Sequence, residues 1–552
     1  MNLGGELSLR VQPMADHGLL LTFGNRIDAA LGMRIAHVTD ALADDDLPGV
    51  LDVVPSYTTL LVILEPATAD QASIVSRVNY HWSRIAHAQA KRADARVVTI
   101  PVAYGAEPGP DLPDVARHAG MSAEEVIRRH AEASYQVGAI GFSPGFAFLI
   151  GLPPELATPR RSSPRTAVPA GSIGIGGGQT GVYSLATPGG WNLIGRTALT
   201  LFDPERDPPS LLEVGDAVRF ELVGSVAVKY STGRHKVGSP TRRHVHGDAI
   251  EVLDAGLQTS VQDLGRLGHG RLGVAPGGAV DRAALIAGNR LVGNADDAAG
   301  LECTLTGPHL RFLRPGRIAV TGAELGARLN GLRVPSGAAR VVGAGDELTF
   351  KRGEGNGARA YLCLGGGIDV PVRLGSRSTD LMAGFGGFQG RALRMGDRLR
   401  RRNVGADVES QPALGPWPPQ ERPLQGNVFR VARGPQFDRF DDDAWNTFTT
   451  REYTVSSQSN RLGIRLDGPS ILPNGGSDII SEGIVTGAIQ ITGEGQPIVM
   501  LPSRATIGGY PKIATVVFAD LDRLGQLRPG DRIRFEEVGY AGDIVIPRIE
   551  ES

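Results

Sequence analysis

A chain of 552 residues with 57 basic and 59 acidic side chains and a net charge of -2 is too long for one core, and at roughly 100 to 200 residues per domain it divides into three to five. Its scattered, balanced charge excludes an electrostatic reader of nucleic acid or anionic membrane, and its two cysteines, Cys303 and Cys363, each in an apolar run, argue against a disulfide framework or a zinc site. With neither a basic and apolar leader nor an apolar run of about 18 residues, the chain reads as soluble and cytoplasmic, with small molecules and proteins as partners and no metal.

Residues 1–92 read as a small α/β module in the order β-α-β-β-α. Its apolar run ends in Leu19-Leu-Leu-Thr-Phe23, helical spacing covers Asp28 to Leu42, two strands flank Pro55-Ser-Tyr57, and a helix covers Ala69 to Ala86. A strand, Val97 to Val102, enters the next unit, 93–230. There Ser122-Ala-Glu-Glu125 predicts a capping box for a helix from Ala123 to about Ala133, with Ser122 accepting from Glu125 N–H and the carboxylate reaching back. Short β-type runs between glycines and prolines then continue to Val223, the pattern of a barrel or sandwich.

A polar, aperiodic linker is expected over 231–248, where His244 and His246 lack further ligands for a metal. Residues 249–404 form the next β unit with one helix, from Asp281, expected as its cap, to Leu291, 405–425 a second linker, and 426–552 a last barrel. A short repeat runs through all of this. Gly215-Asp, Gly345-Asp, Gly396-Asp and Gly530-Asp each open an alternating strand, as at hairpins that close or cross a barrel. Ile175-Gly-Gly177 and Ile507-Gly-Gly509 hint at equivalent loops in two related barrels.

Standard catalytic motifs are absent. There is no Gly-x-x-x-x-Gly-Lys-Ser/Thr and no His-Glu-x-x-His. Gly141-Phe-Ser-Pro-Gly145 matches a nucleophile elbow by letter, but Pro144 lacks the N–H an oxyanion donor needs. Of five lysines (Lys91, Lys229, Lys236, Lys351 and Lys512), none lies in a Met-Lys-Met setting, so the chain is not read as a biotin carrier.

Val168 to Thr197 holds nine glycines in thirty residues, with Gln179, Thr180, Trp191, Asn192 and Arg196 among them. Glycine permits positive φ and close approach to backbone N–H groups, so Gly174 to Gly178 forms either an anion-binding nest or a tight barrel corner. This stretch, with Gly141-Phe-Ser-Pro-Gly-Phe146, resembles allophanate hydrolase subunit 1, also described as the B component of 5-oxoprolinase. Thr259-Ser-Val-Gln-Asp-Leu-Gly-Arg266 and Gly273-Val-Ala-Pro-Gly-Gly-Ala-Val-Asp281 resemble allophanate hydrolase subunit 2, the C component of 5-oxoprolinase. Both halves are similar to the carboxyltransferase region of urea carboxylase. The chain therefore resembles a fusion of two normally separate subunits.

The resemblance implies a mainly β protein, with an α+β N-terminal module and tandem cyclophilin-like β-barrels over 93–230, 249–404 and 426–552. It implies an enzyme component that, with a separate A-type subunit, opens the lactam of 5-oxoproline to glutamate using ATP with Mg. Lactam carbonyls are poor electrophiles, so phosphoryl transfer to the carbonyl oxygen creates a leaving group and leaves the protein to position and stabilise charge. Lys512, Arg196 and Gln490 are then the expected catalytic residues. Gly176, Gly177, Gly178, Gln179, Thr180, Trp191, Asn192, Gln262, Asp263, Arg266, Asn460, Arg461, Glu482 and Tyr510 are expected around substrate or nucleotide.

Asp263 and Arg266 read equally as an internal ion pair, and Lys512 equally as a surface lysine after a proline turn. The family often has Phe-x-Pro-Gly-Phe-Pro-Tyr where Phe142-Ser-Pro-Gly-Phe-Ala-Phe148 stands, and Asp-x-Gln-Thr where Ser503 to Thr506 stand. Two other functions remain open: a carboxyltransferase for urea or a related amide, with biotin supplied by another chain, and a kinase-regulating binding protein.

Overall fold

The computed structural model describes residues 9–85, 96–161, 163, 165–224, 247–351, 353, 355–402 and 427–539. Both expected linkers lie outside the described residues, apart from Gly247 and Asp248; His244 and His246 fall there too.

The N-terminal module is a four-stranded antiparallel sheet of β1 (Arg10–Pro13), β2 (Gly18–Thr22), β3 (Val50–Pro55) and β4 (Thr59–Leu64), in the order β1-β2-β4-β3. Two helices cover one face. Helix α1 (Ala29–Ala43) starts where the Asp28 carboxylate accepts from Leu31 N–H, and α2 (Gln71–Arg84) where Asp70 accepts from Ala72 and Ser73, as N-caps do. The expected β-α-β-β-α order is short by one strand. The first apolar run turns at Ala15, φ +50, and Met14 N–H donates to Gly18 O at 2.8 Å.

Side chains alternate across a strand. Leu19, Leu21, Leu60 and Val62 pack against Ile35, Val38, Ile74 and Val78 of the helices. Leu20 and Leu61 of the same strands belong to another cluster, with Ile484 and Val485 of the last unit. The sheet is thus buried on both faces.

Next come β5 (Val97–Tyr104), β6 (Tyr135–Ile140), β7 (Ala147–Ile150), β8 (Arg165–Val168), β9 (Ser172–Gly176), β10 (Gln179–Val182), β11 (Thr187–Gly189), β12 (Asn192–Arg196) and β13 (Ala217–Leu222). Seven of them close a barrel in the order β5-β12-β9-β10-β7-β6-β13, while β8 and β11 pair beside it as a ribbon. Helix α4 (Ala123–Glu132) starts as expected at Ser122, whose hydroxyl accepts from Glu125 N–H at 3.2 Å. Its reciprocal half differs: the Glu125 carboxylate turns to Arg128 and Arg129. A further helix, α3 (Leu112–Ala119), precedes it and ends on left-handed Gly120.

Residues 249–404, expected as another barrel, form two open sheets instead. The strands are β14 (Asp248–Asp254), β15 (Gln258–Gln262), β16 (Gly300–Thr304), β17 (His309–Phe312), β18 (Gly316–Gly322), β19 (Ala327–Leu329), β20 (Leu332–Arg333), β21 (Ala338–Val342), β22 (Glu347–Phe350), β23 (Arg359–Leu364), β24 (Ile368–Asp369) and β25 (Arg398–Arg401). One sheet runs β20-β19-β22-β17-β14-β25-β24 and the other β15-β16-β23-β18-β21. Their inner faces share one core, with Ile250, Leu310 and Leu399 against Val261, Leu301 and Leu362. The seven-stranded sheet ends on strands of two residues, too short to carry a closing ladder. Helix α5 (Arg282–Leu291), capped by Asp281 as expected, covers the other face of the five-stranded sheet.

The last unit comprises β26 (Val428–Arg433), β27 (Tyr453–Val455), β28 (Gly463–Asp467), β29 (Glu482–Gly483), β30 (Ala488–Ile491), β31 (Pro497–Met500), β32 (Ile507–Gly508), β33 (Lys512–Val516) and β34 (Arg532–Glu537). Its barrel closes in the order β26-β33-β30-β31-β28-β27-β34, with β29 and β32 as the outer ribbon. Strand for strand this is the plan of the first barrel. In both, the final strand closes by pairing parallel to the first, β13 on β5 and β34 on β26.

Those closing strands follow Gly215-Asp and Gly530-Asp. All four Gly-Asp turns use one device: the glycine sits at φ between +87 and +94, and the aspartate accepts the N–H three residues earlier, at 2.8, 2.6, 2.7 and 2.8 Å.

Candidate functional site

Strand β33 begins at Lys512, and β30 sets Gln490 opposite it. Their neighbours Ile489, Ile491 and Ile513 fill the barrel core. Lys512 is fully buried, and its ammonium lies 2.8 Å from Glu482 Oε1. The same oxygen accepts from Gln436 Nε2 at 2.6 Å, while Gln436 Oε1 accepts Lys512 N–H at 3.0 Å.

Glu482 faces Gly508 across the β29–β32 ribbon, and a Cβ on Gly508 would stand 3.2 Å from Gln490 Nε2. The Lys512 ammonium is close enough to Glu482 for an ion pair but is not aligned as a hydrogen bond. Neither it nor Gln490 Nε2 has a hydrogen-bond partner. A buried donor left unmatched costs about 1–3 kcal/mol, more when charged. An oxygen of a ligand carbonyl or carboxylate would offset that cost at two points.

First-half residues hold the walls of this cluster. Ser56 Oγ donates to Ser481 O at 2.5 Å, and Gln12 Nε2 donates to Pro435 O at 2.8 Å. Gly483 lies so close to Leu61 that an added Cβ would sit 2.4 Å from the leucine Cβ, and one on Gly141 would sit 2.3 Å from Ile507 Cγ1. One apolar cluster runs through Tyr57 and Leu61, Phe148 and Trp191 of the first barrel, and Ile484 and Ile507 of the last. Both halves thus build the surroundings of Lys512.

The glycine-rich stretch of the first barrel is placed differently. Gly177 N–H already donates to Thr158 O at 2.7 Å, and Gly176 pairs with Gln179 in the β9–β10 hairpin. A Cβ at Gly178 would meet nothing, whereas Gly177 sits at φ +64, in the left-handed region that favours glycine, as at a hairpin corner rather than a nest. Trp191 is buried beneath it, with its indole against Gly176 and its ring beside Phe146 and Phe148. Asn192 ties Pro159 O to Ile175 O.

Thr180 bridges His130 and Gly174 O inside the barrel, where burial holds the His130 imidazole down to about 3 and therefore neutral. Arg196 is registered with Ser172 at the far end of β9 from the hairpin, roughly 13 Å along the strand, and donates to Ala170 O. Thr180 and Arg196 are thus tied to backbone of the first barrel, and from this stretch Trp191 reaches the apolar cluster beside Lys512.

In the second half, Asp263 and Arg266 are not an ion pair. Asp263 accepts from Ser376 Oγ at 2.6 Å, Ser378 Oγ and Arg377 N at 2.5 Å, and Gly265 N at 2.8 Å. Arg266 donates to Ser378 O and lies 4.6 Å over the Phe385 ring, with burial pushing its pKa down. Gln262 Nε2 donates to Ser260 Oγ and Thr379 O. Asn460 closes a local turn onto Leu462 N–H.

Arg461 is a brace between units. It pairs with Glu302 and donates to Gly278 O. Burial pushes the Glu302 carboxyl up, but Arg461 and Arg359, with hydrogen bonds from Val280 N–H and the Tyr361 hydroxyl, together leave its pKa lowered. Tyr510 is partly exposed beside the Lys512 strand.

Several residues of interest carried no local signal in the sequence. Gln436 lies 76 residues from Lys512. Asp52 and Arg504 are buried where the N-terminal module, the loop at Gly270 and the last barrel meet, and Gly270 N–H donates to Asp52. Burial pushes the Asp52 carboxyl up to about 6 and brings Arg504 down to about 10. Arg160, from the first half, reaches within 4.0 Å of where a Gly509 Cβ would lie. Among the described residues, no group of three or more His, Cys, Asp or Glu side chains is placed to hold a metal ion, and no helix is long and apolar enough to cross a membrane.

Comparison with known proteins matches both halves. Residues 9–212 match the family described as carboxyltransferase domain, subdomain C and D, and residues 272–537 match carboxyltransferase domain, subdomain A and B. The chain is 48% identical over 175 residues to the 5-oxoprolinase B component of Escherichia coli O157:H7, covering 32% of this chain and 79% of that one. It is 40% identical over 287 residues to the 5-oxoprolinase C component of Escherichia coli K12, covering 52% and 90%. The crystal structure of TTHA0988 is similar over nearly the whole length, with a TM-score of 0.80 and 34% identity, covering 94% of this chain and 99% of that one.

Proposed function

Because the chain belongs to the carboxyltransferase-domain family that includes the B and C components of 5-oxoprolinase, and unites counterparts of both, we propose that it is the fused B/C component of an ATP-dependent 5-oxoprolinase. It would open the lactam of 5-oxoproline to glutamate together with a separate A-type subunit. The observation that carries this reading is the buried Lys512–Glu482–Gln436–Gln490 cluster, enclosed by residues of both halves.

A lactam presents one carbonyl acceptor and one N–H donor. The unmatched Lys512 ammonium and Gln490 Nε2 suit the oxygen, where negative charge grows as the ring opens, and a preorganised buried donor stabilises that charge with little reorganisation. Glu482 holds the ammonium, and Gln436 fixes both by bonding the Lys512 backbone and the Glu482 carboxylate. ATP with Mg supplies the phosphoryl group on this reading. Gly177 N–H is already engaged by Thr158 O, and Gly174 and Gly176 lie in the β9–β10 ladder, so no role in nucleotide binding is assigned to the Gly174–Gly178 corner.

The test is 5-oxoproline-dependent ADP release by the purified chain, with and without the A-type protein from the same source. Release in the mixture supports the reading, and no release with a folded A-type protein overturns it. The family description favours one second reading, a biotin-dependent carboxyltransferase acting on urea or a related amide. It predicts carboxyl transfer from a biotinylated carrier supplied by another chain.

A further inference from the structure

The two barrels share a plan closely enough to be compared residue by residue. In the last barrel, Gln436 N–H donates to Lys512 O at 3.4 Å, and Lys512 N–H donates back to the Gln436 side chain at 3.0 Å. In the first, Asp111 N–H donates to Leu193 O at 2.9 Å, and Leu193 N–H donates back to the Asp111 side chain at 2.7 Å. Asp111 therefore takes the place of Gln436, and Leu193 that of Lys512.

Two residues ahead of each lies the aromatic of a Gly-Gly-aromatic turn, Trp191 after Gly189-Gly190 and Tyr510 after Gly508-Gly509. Gly189, not the Gly176-Gly177 pair that the sequence suggested, is thus the counterpart of Gly508. Across the ribbons, Gly508 faces Glu482 and Gly189 faces Arg165. Gly174, registered with Leu193, replaces Gln490, registered with Lys512.

The first barrel thus carries the same frame with its charge inverted. The Asp111 carboxylate accepts from Arg165 at 2.7 Å and from Arg161 at 3.0 Å. Two guanidiniums on one carboxylate leave one positive charge in excess. Arg161 Nε and Arg165 Nη1 are buried and have no hydrogen-bond partner, while the rest of the two side chains keeps 35% and 25% of its surface exposed and open to a small solute. Asp111 cannot turn to satisfy them, because its other oxygen is held by Leu193 N–H.

We infer that the first barrel holds an oxyanion site, a carboxylate or phosphate group bound by Arg161 and Arg165 beside Asp111. Guanidinium forks match the two-oxygen edge of both groups. The inference does not rest on lactam chemistry.

The experiment is calorimetric titration of the full chain, at constant ionic strength and pH 7.5, with inorganic phosphate and separately with acetate. Wild type is expected to bind at least one of the two, and whichever binds more tightly identifies the group. Arg165→Gln and Arg161→Gln should each weaken that binding about tenfold or more. Asp111→Asn keeps an acceptor for Leu193 N–H while releasing both arginines from the carboxylate, and should tighten it several-fold.

A merely structural Asp–Arg brace would lower the melting temperature in all three variants and leave affinity unmoved. That result, or the absence of binding to either anion in wild type, overturns the inference. Should Arg165→Gln fail to fold, the more exposed Arg161→Gln decides alone.

Discussion

Lys512 was legible in the sequence as one of only five lysines, standing after Gly508-Gly-Tyr-Pro511. Its partner Gln436 was not, because no local pattern links residues 76 apart. Nor was its burial: a lysine after a proline turn reads equally as a surface residue, and only the β30–β33 register and the cover from the first half enclose it. A buried pair broken on one side typically costs about 3–5 kcal/mol, so Glu482→Gln should lower the urea midpoint markedly while keeping the Gln436 contact.

Asp52 makes a different prediction. Its folded pKa, raised from 3.8 to about 6, means the native state binds more protons than the unfolded chain between those values. Stability contributed by Asp52 is therefore fully present below about pH 4, falls as pH rises to about 6, and stays low above. Relative to Asp52→Asn, wild type should lose on the order of 3 kcal/mol across that window. Parallel unfolding curves of the two proteins from pH 4 to 7 would contradict it.

At the scale of elements, helices and turns were the readable part. Ser122 and Asp281 cap helices as expected, the helical spacing read from Asp28 starts at an N-cap, and the four Gly-Asp turns each open a strand. Helix α3 escaped notice because it is only eight residues long with a proline in its first turn. The two open sheets escaped because alternation specifies a strand's faces, not whether its sheet closes.

The barrel-to-barrel contact is also invisible to periodicity, since it rests on the missing Cβ of Gly141. Gly141→Ala should destabilise the chain by about 1–3 kcal/mol, as overpacking does. Ile507→Ala removes the atoms 2.3 and 2.6 Å from that Cβ, so the double variant should recover part of the loss. Strictly additive effects in this cycle would show that the two loops are not in contact.

Across the whole molecule, the resemblance pointed to two subunits in one chain, and the structure shows how they become one body. Leu61, Trp191 and Ile507 share an apolar cluster, and Arg461 of the last barrel reaches Glu302 in the middle unit. Arg461→Ala leaves the buried Glu302 with Arg359 at 3.6 Å as its remaining cation, and should cost about 3–5 kcal/mol of stability by urea denaturation. On the proposed function, the cluster enclosed by both halves carries the chemistry. The most direct test is kcat for ADP release with 5-oxoproline, in the mixture with the A-type protein, comparing wild type and Lys512→Gln. A fall of about 100-fold or more is expected in a variant whose circular dichroism matches wild type. A folded Lys512→Gln protein within about twofold of wild type would contradict it and move the reacting group away from the last barrel.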